Sequence, residues 1–289
     1  MAREAGRDRA ALIAIDWGTT SFRAYRLDAH GAVVDSRSAP KGILSVAPGG
    51  FPAVLEAQIG DWLGDAPVVM SGMVGSRQGW MEAPYVPCPA GLDEIASALL
   101  EVRKGVWIVP GVSCRDESGV PDVMRGEETQ VLGAERSGLF CLPGTHSKWV
   151  EVRNGRIERF STYMTGELYA LLRQHSLLGR MMEEGKPADA GAFSEGVARS
   201  AEPGGLLHHL FGVRTRALMG ELHAAAAPSY LSGLLIGHEL RSSRAREILI
   251  IGEPALAECY RDAAAALGIE SELLEPTCGT RALFRLGRR

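Results

Sequence analysis

Disulfide spacing, dense basic runs and long apolar stretches are all missing from this sequence. Its five cysteines (Cys88, Cys114, Cys141, Cys259, Cys278) are odd in number and form no Cys-x-x-Cys pair. With no signal-peptide pattern ahead of them, they read as reduced thiols of a cytoplasmic protein, small buried fillers rather than nucleophiles. The seven histidines lack metal-site spacing, and the adjacent His208 and His209 would point in different directions on a helix. No apolar run approaches the roughly 20 residues that span a bilayer. Lys and Arg together number 31 against 35 Asp and Glu, a net charge of −4, which argues against the basic face of a nucleic-acid binder. The short stretch from Arg3 to Arg9 mixes bases with acids and reads as a frayed tail.

What remains is an ordinary globular composition, 46% hydrophobic and 23% charged over 289 residues, enough for two modest lobes or one large domain. The apolar run 11–15 predicts a strand ending at Asp16, followed by the polar turn 17–20 and a second, alternating strand over 21–27. A hairpin turn at 28–31 leads to a third strand over 32–35. Consecutive antiparallel strands are not the pattern of a βαβ dinucleotide-binding unit. Helical spacing covers 50–63 and 92–102, with buried strands at 66–70 and 105–109. The Gly- and Pro-rich stretch 71–90 reads as an ordered loop lining a pocket, and a helix with two acids in its first turn opens at Glu127.

The same cycle then begins again. Strand 138–142, turn 143–147 and strand 148–152 are followed by the hairpin signal Asn154-Gly155 and a returning strand over 156–160. The region from Gly166 to Glu239 reads as mainly helical, broken near 184–187 and 203–205. A final buried strand over 248–251 is followed by helices opening at Gly252-Glu-Pro254 and at Gly279. A strand–turn–strand unit therefore occurs twice, around Asp16 and around Thr145, as in an internal duplication.

The two turns carry phosphate-type chemistry. In the first, Gly18 lets backbone amides approach an anion, Thr19 and Thr20 add hydroxyls, and Asp16 at a strand end suits Mg²⁺ or its water shell. In the second, Gly144, Thr145, His146 and Ser147 offer the equivalent set, with Lys148 either near a phosphate or turned to solvent. Gly252, between a strand and a helix, permits a ribose or flat ring to pack against backbone. Either turn taken alone is also compatible with an ordinary hairpin.

The string Asp16-x-Gly-Thr-Thr-Ser-x-Arg23 resembles the first phosphate motif of sugar kinases with the actin/hexokinase/Hsp70-type fold. Over nearly the whole chain, the strings 71–80, 124–130, 142–149 and 165–169 resemble 2-dehydro-3-deoxygalactonokinases. The resemblance implies a two-lobed α/β actin-like (ribonuclease H-like) fold with duplicated mixed sheets flanked by helices, lobes of about 1–133 and 134–289, and an active site between them. It also implies ATP and Mg²⁺ as cofactors and the C6 hydroxyl of 2-dehydro-3-deoxygalactonate as acceptor, with a homodimer as the expected assembly. Glu127 stands where glycerol and xylulose kinases place their catalytic Asp, with Glu128 as its competitor. A 2-keto acid requires a carboxylate receptor, for which Arg77 and Arg125 are candidates. Gln78, Trp80 and Tyr85 are candidates for sugar contacts. A kinase for another sugar acid or ketose, or a non-catalytic nucleotide-binding sensor, remains an alternative. The approximately 10 residues before the first strand leave no room for the DNA-binding helices of sugar-responsive repressors.

Overall fold

The computed structural model describes residues 10–183, 185 and 188–288, so the stretch from Arg3 to Arg9 and most of the break at 184–187 lie outside the described residues. The chain forms two compact units. Unit 1 comprises the chain up to Ser137, Glu151–Phe160 and the chain from Pro276; unit 2 comprises Gly138–Val150 and Ser161–Glu275. The chain passes from unit 1 to unit 2 after Ser137, and the last helix returns to unit 1.

Unit 1 contains β1 (Leu12–Trp17), β2 (Phe22–Leu27), β3 (Val33–Ala39), α1 (Phe51–Ile59), β4 (Val68–Ser71), β5 (Tyr85–Pro87), β6 (Ala90–Gly91) and α2 (Leu92–Ser97). It continues through β7 (Leu100–Arg103), β8 (Val106–Ile108), β9 (Gly111–Arg115), β10 (Pro121–Met124) and α3 (Glu127–Gly133). Its main sheet runs β3-β2-β1-β4-β8-β7, with β1 antiparallel to β2 and parallel to β4. The apolar run that marks β1 is buried on both faces, as a central strand requires. Its side chains join Phe22, Phe51, Leu55, Ile59, Met70 and Ile108 in one core. The helix expected over 92–102 ends at Ser97, because Leu100–Arg103 pairs antiparallel with β8 across a turn at Gly105. The hairpin β9–β10, turned by Asp116–Gly119, had no expectation attached to it.

Unit 2 opens with β11 (Gly138–Leu142), β12 (Ser147–Arg153) and β13 (Arg156–Tyr163), the far end of this last hairpin lying with unit 1, where β13 pairs with β6. It continues with α4 (Thr165–His175), α5 (Ala190–Arg199), α6 (Gly205–Leu218), α7 (Ala227–Ser243), β14 (Glu247–Ile250), α8 (Pro254–Ala266) and β15 (Glu270–Leu273). Its strands run β15-β14-β11-β12-β13, with β11, β14 and β15 parallel. In both sheets the first strand of the unit has its two successors on one side and two later parallel strands on the other. The duplication expected from the turns is thus a duplication of sheet topology. Helix α9 (Gly279–Gly287) closes the chain in unit 1, where the Cys278 thiol donates to the Gln130 carbonyl of α3 at 3.2 Å.

Candidate functional site

In unit 1 the β1–β2 register sets Asp16 directly opposite Arg23, and the β1–β4 register sets it beside Ser71. The Arg23 Nη1 donates to Asp16 Oδ2 at 3.1 Å, and 35% of the Asp16 side chain remains open. Enclosure at the strand end pushes the Asp16 carboxyl up, and Arg23 opposes that push. The turn beyond it is tight, with Gly18 N donating to Ser21 O at 2.9 Å, and it exposes Thr19 and Thr20. The segment after β3 clamps this turn: Ile43 N and Leu44 N donate to the carbonyls of Gly18 and Thr19, and Trp17 Nε1 donates to Lys41 O. A Cβ on Gly42 would lie 2.3 Å from the Thr19 backbone, so only glycine fits there.

The start of α3 reaches the same place through two glycines. Gly72 at φ +95° leaves room for Trp17 O and Asp16 Oδ1, and Gly126 at φ +110° abuts the Gly72 Cα. Glu127 is half-buried, its Oε2 accepting from Arg125 N at 3.1 Å. Its neighbour Glu128 is fully buried: Oε2 accepts from Gly126 N at 2.6 Å, and Oε1 has no partner. Burial, reinforced by the charge of Glu127, pushes the Glu128 carboxyl up to about 8, so it holds its proton at neutral pH. Of the two acids, Glu127 alone is reachable. Below them Thr129 Oγ1 donates to Gly126 O at 2.7 Å and meets Ser71 Oγ at 3.2 Å.

Arg125 is buried rather than presented. Its Nη2 donates to Ala83 O at 2.8 Å and its guanidinium lies 4.4 Å from the Tyr85 ring centre, so it braces the loop from beneath. Its Nε and Nη1 have neither partner nor solvent access. Arg77 is the opposite case, with 87% of its side chain exposed and Glu82 at 3.6 Å. Gln78 is exposed beside it, Trp80 stacks on Phe51 at 6.5 Å, and Tyr85 is partly exposed. A cleft of about 420 Å³ in unit 1, lined by Leu132, Arg136, Arg156 and Arg285 among others, lies at the opposite end of α3, and none of the candidate residues line it.

In unit 2 the turn after β11 exposes Thr145 and His146, with Gly144 half-buried. His146 Nε2 is bonded to the Glu167 carboxylate, and Glu167 N donates to Thr145 O at 2.9 Å. A Cβ on Gly166 would lie 2.4 Å from Gly144 O, so α4 starts hard against the turn. Gly252 sits on the same turn, its Cα side facing Pro143. Ser147 does not face outward with its neighbours. As the first residue of β12 it is fully buried, its hydroxyl 2.9 Å from Tyr260 Oη. Lys148 is neither near the turn's open face nor in solvent, because its Nζ donates to Thr162 Oγ1 at 2.8 Å. Three residues bonded to this turn or to the strand that follows it, Glu167, Tyr260 and Glu239, are not among the sequence candidates. The visible signal was an acid at position 239 inside the apolar stretch of α7.

Among the described residues no group of three or more His, Cys, Asp or Glu is placed to hold a metal ion. Mg²⁺ in phosphoryl transfer needs less, since it keeps waters and takes one or two carboxylates plus phosphate oxygens. The partly open Asp16 carboxylate fits that donor set.

The profile of the family described as 2-keto-3-deoxy-galactonokinase matches residues 16–286. A probable 2-dehydro-3-deoxygalactonokinase of Rhizobium meliloti (strain 1021) is 39% identical, covering 93% of this chain and 94% of its own. The 2-dehydro-3-deoxygalactonokinase of Escherichia coli (strain K12) is 38% identical, covering 90% and 91%. A crystal structure from Sinorhizobium meliloti bearing the same enzyme name superposes with a TM-score of 0.87 at 36% identity, covering 96% and 98%. A structure from Porphyromonas gingivalis titled as an N-acetylglucosamine kinase reaches 0.50 at 14% identity, a likeness of fold alone. The fold is the mixed α/β actin-like fold of sugar kinases. From its Asp16 turn to the end of α9, this chain belongs to the 2-keto-3-deoxy-galactonokinase family.

Proposed function

We propose that this enzyme transfers the γ-phosphoryl group of ATP to the C6 hydroxyl of 2-dehydro-3-deoxygalactonate, giving the 6-phosphate in galactonate catabolism. The observation that carries the reading is the start of α3. A reachable Glu127 stands beside a buried Glu128, and Gly72 joins this helix start to Asp16. Glu127 accepts the proton of the acceptor hydroxyl as its oxygen attacks phosphorus. Glu128, held neutral, adds no second negative charge where an anionic nucleotide must approach. Thr19 and Thr20 are the phosphate donors proposed for unit 1, and Gly144, Thr145 and His146 are those proposed for unit 2. Gly252, beside Pro143, is the proposed contact for the nucleoside. Asp16 would hold Mg²⁺, which supplies neutralisation of phosphate charge.

For the sugar acid, the exposed Arg77 is the better placed carboxylate receptor, and Arg125 acts by holding the loop that carries Tyr85. Gln78 and Trp80 complete the contacts proposed for hydroxyls and carbon skeleton. The free thiols of all five cysteines support a cytoplasmic setting. Among the described residues no helix is long and apolar enough to cross a membrane. A homodimer is the proposed assembly, to be checked by light scattering.

The test is a coupled ADP-release assay with Mg-ATP, comparing 2-dehydro-3-deoxygalactonate with its gluconate epimer, xylulose and glycerol. Turnover confined to the galactonate compound is expected. Turnover confined to another acceptor would keep the kinase and discard the substrate, and ATP binding with no turnover would point to a sensor.

A further inference from the structure

Unit 2 contains a buried carboxylate that the proposed chemistry does not use. Glu239 on α7 is 3% exposed and is surrounded by Cys141, Trp149, Ile236, Leu240 and Tyr260 of one apolar core. An acid there is costly unless its oxygens collect donors. Trp149 Nε1 donates to Oε1 at 2.8 Å and Tyr260 Oη donates to Oε2 at 2.6 Å, with the hydroxyls of Thr165 and Ser147 adding to the same carboxylate. Burial pushes the carboxyl up, and these four donors pull it back. Filling this core position alone would need only an apolar side chain with no donors facing it, so the convergence of four donors on one carboxylate is not accounted for by packing.

Its partners are arranged around one object. Ser147 follows the turn 143–146 directly, and Thr165 directly precedes Gly166, which abuts Gly144, and Glu167, which holds Thr145 O and His146. We infer that Glu239 is the positioning residue of this turn, its carboxylate fixing both the strand that leaves the turn and the helix that backs it, so that Gly144, Thr145 and His146 are held ready for nucleotide phosphate. The inference rests on the phosphate reading of that turn. Glu239 touches no substrate; it acts through Ser147, Tyr260 and Thr165.

The test uses full-length Glu239→Leu, Glu239→Gln and Tyr260→Phe, with KM for ATP, KM for the sugar acid, kcat, ADP binding by calorimetry and thermal midpoint measured for each. Glu239→Leu should raise KM for ATP and weaken ADP binding by about tenfold or more, since buried donors lose their acceptor. The sugar KM should stay within about twofold. Glu239→Gln keeps an oxygen for Trp149 and offers an amide to Tyr260 Oη, so it should restore most of the nucleotide affinity. If Glu239→Leu does not fold, Tyr260→Phe removes the bridge to Ser147 while keeping the ring, and should raise KM for ATP by about threefold or more. Folded variants with unchanged nucleotide affinity, or with both KM values rising together, would overturn the inference. Thr145→Ala separates the two levels. If it weakens ADP binding while Glu239 and Tyr260 variants do not, only the role of Glu239 falls. If none of them alters nucleotide affinity, the phosphate reading of the turn falls with it.

Discussion

The turn after β1 and the turn after β11 occupy equivalent places in equivalent sheets, and each is backed by a glycine from elsewhere in its unit, Gly42 for the first and Gly166 for the second. They differ in where the carboxylates lie. In unit 1 two acids stand at the open end of the elements, Asp16 one-third exposed against Arg23 and Glu127 reachable at the start of α3, while Glu128 beside them is buried and holds its proton. In unit 2 one acid, Glu167, holds His146 on the exposed side of the turn, and a second, Glu239, is sealed in the core behind it and saturated with donors. One duplicated scaffold therefore supports two tasks. Unit 1 keeps charge where chemistry can use it, and unit 2 uses charge to hold backbone donors still.

The sharpest break of this comparison is Glu127→Gln. Losing the proton acceptor should lower kcat by about 10²- to 10⁴-fold while leaving ADP binding near normal, measured by steady-state kinetics and calorimetry. Unchanged turnover would move the base elsewhere. Next come Gly166→Ala and Gly42→Ala, which force a methyl to within 2.4 Å and 2.3 Å of the two turns. Each should weaken ADP binding by about tenfold and cost about 1–3 kcal/mol of stability, read by calorimetry and denaturant unfolding. An unchanged ADP affinity in either variant would remove that turn from the proposed phosphate contacts. Arg77→Ala should raise the sugar KM by about tenfold without changing KM for ATP, and an unchanged value would remove Arg77 from the sugar site.

The smallest effect concerns pH. The Glu128 carboxyl sits at about 8 in the fold against an ordinary 4.5, so the folded chain keeps a proton that the unfolded chain releases. That contribution to stability is complete below 4.5 and is lost as pH rises towards 8 and past it. Glu128→Gln mimics the protonated acid and should flatten the decline, by on the order of 5 °C in thermal midpoint at pH 9. A parallel decline in both proteins would show that Glu128 ionises without consequence.

Much of this organisation is legible in the chain itself, for identifiable reasons. Gly138–Leu142 and Leu12–Trp17 announce themselves because central strands need unbroken apolar residues, and the turns that follow concentrate Gly and Thr. The stretch 98–102 reads as helix because its apolar spacing suits either period, and only pairing with β8 settles it. Ser147 and Lys148 belong to the motif by spacing, yet β12 begins at Ser147 and takes both into the interior. Arg125 looked like a receptor, and burial under Ala83 and Tyr85 makes it a brace. Glu239 could not be assigned from sequence because its indole partner is 90 positions away.

The return of α9 to unit 1 bears on how the molecule is made. Its buried Ala282, Leu283 and Leu286 belong to the unit whose first strands leave the ribosome before unit 2, although they emerge after unit 2. The unit that carries Glu127 therefore completes its core only after α9 has emerged, while unit 2 is encoded as an insertion within it. A product stalled or clipped before Pro276 would retain the second turn and leave the core of the unit that carries Glu127 unfinished.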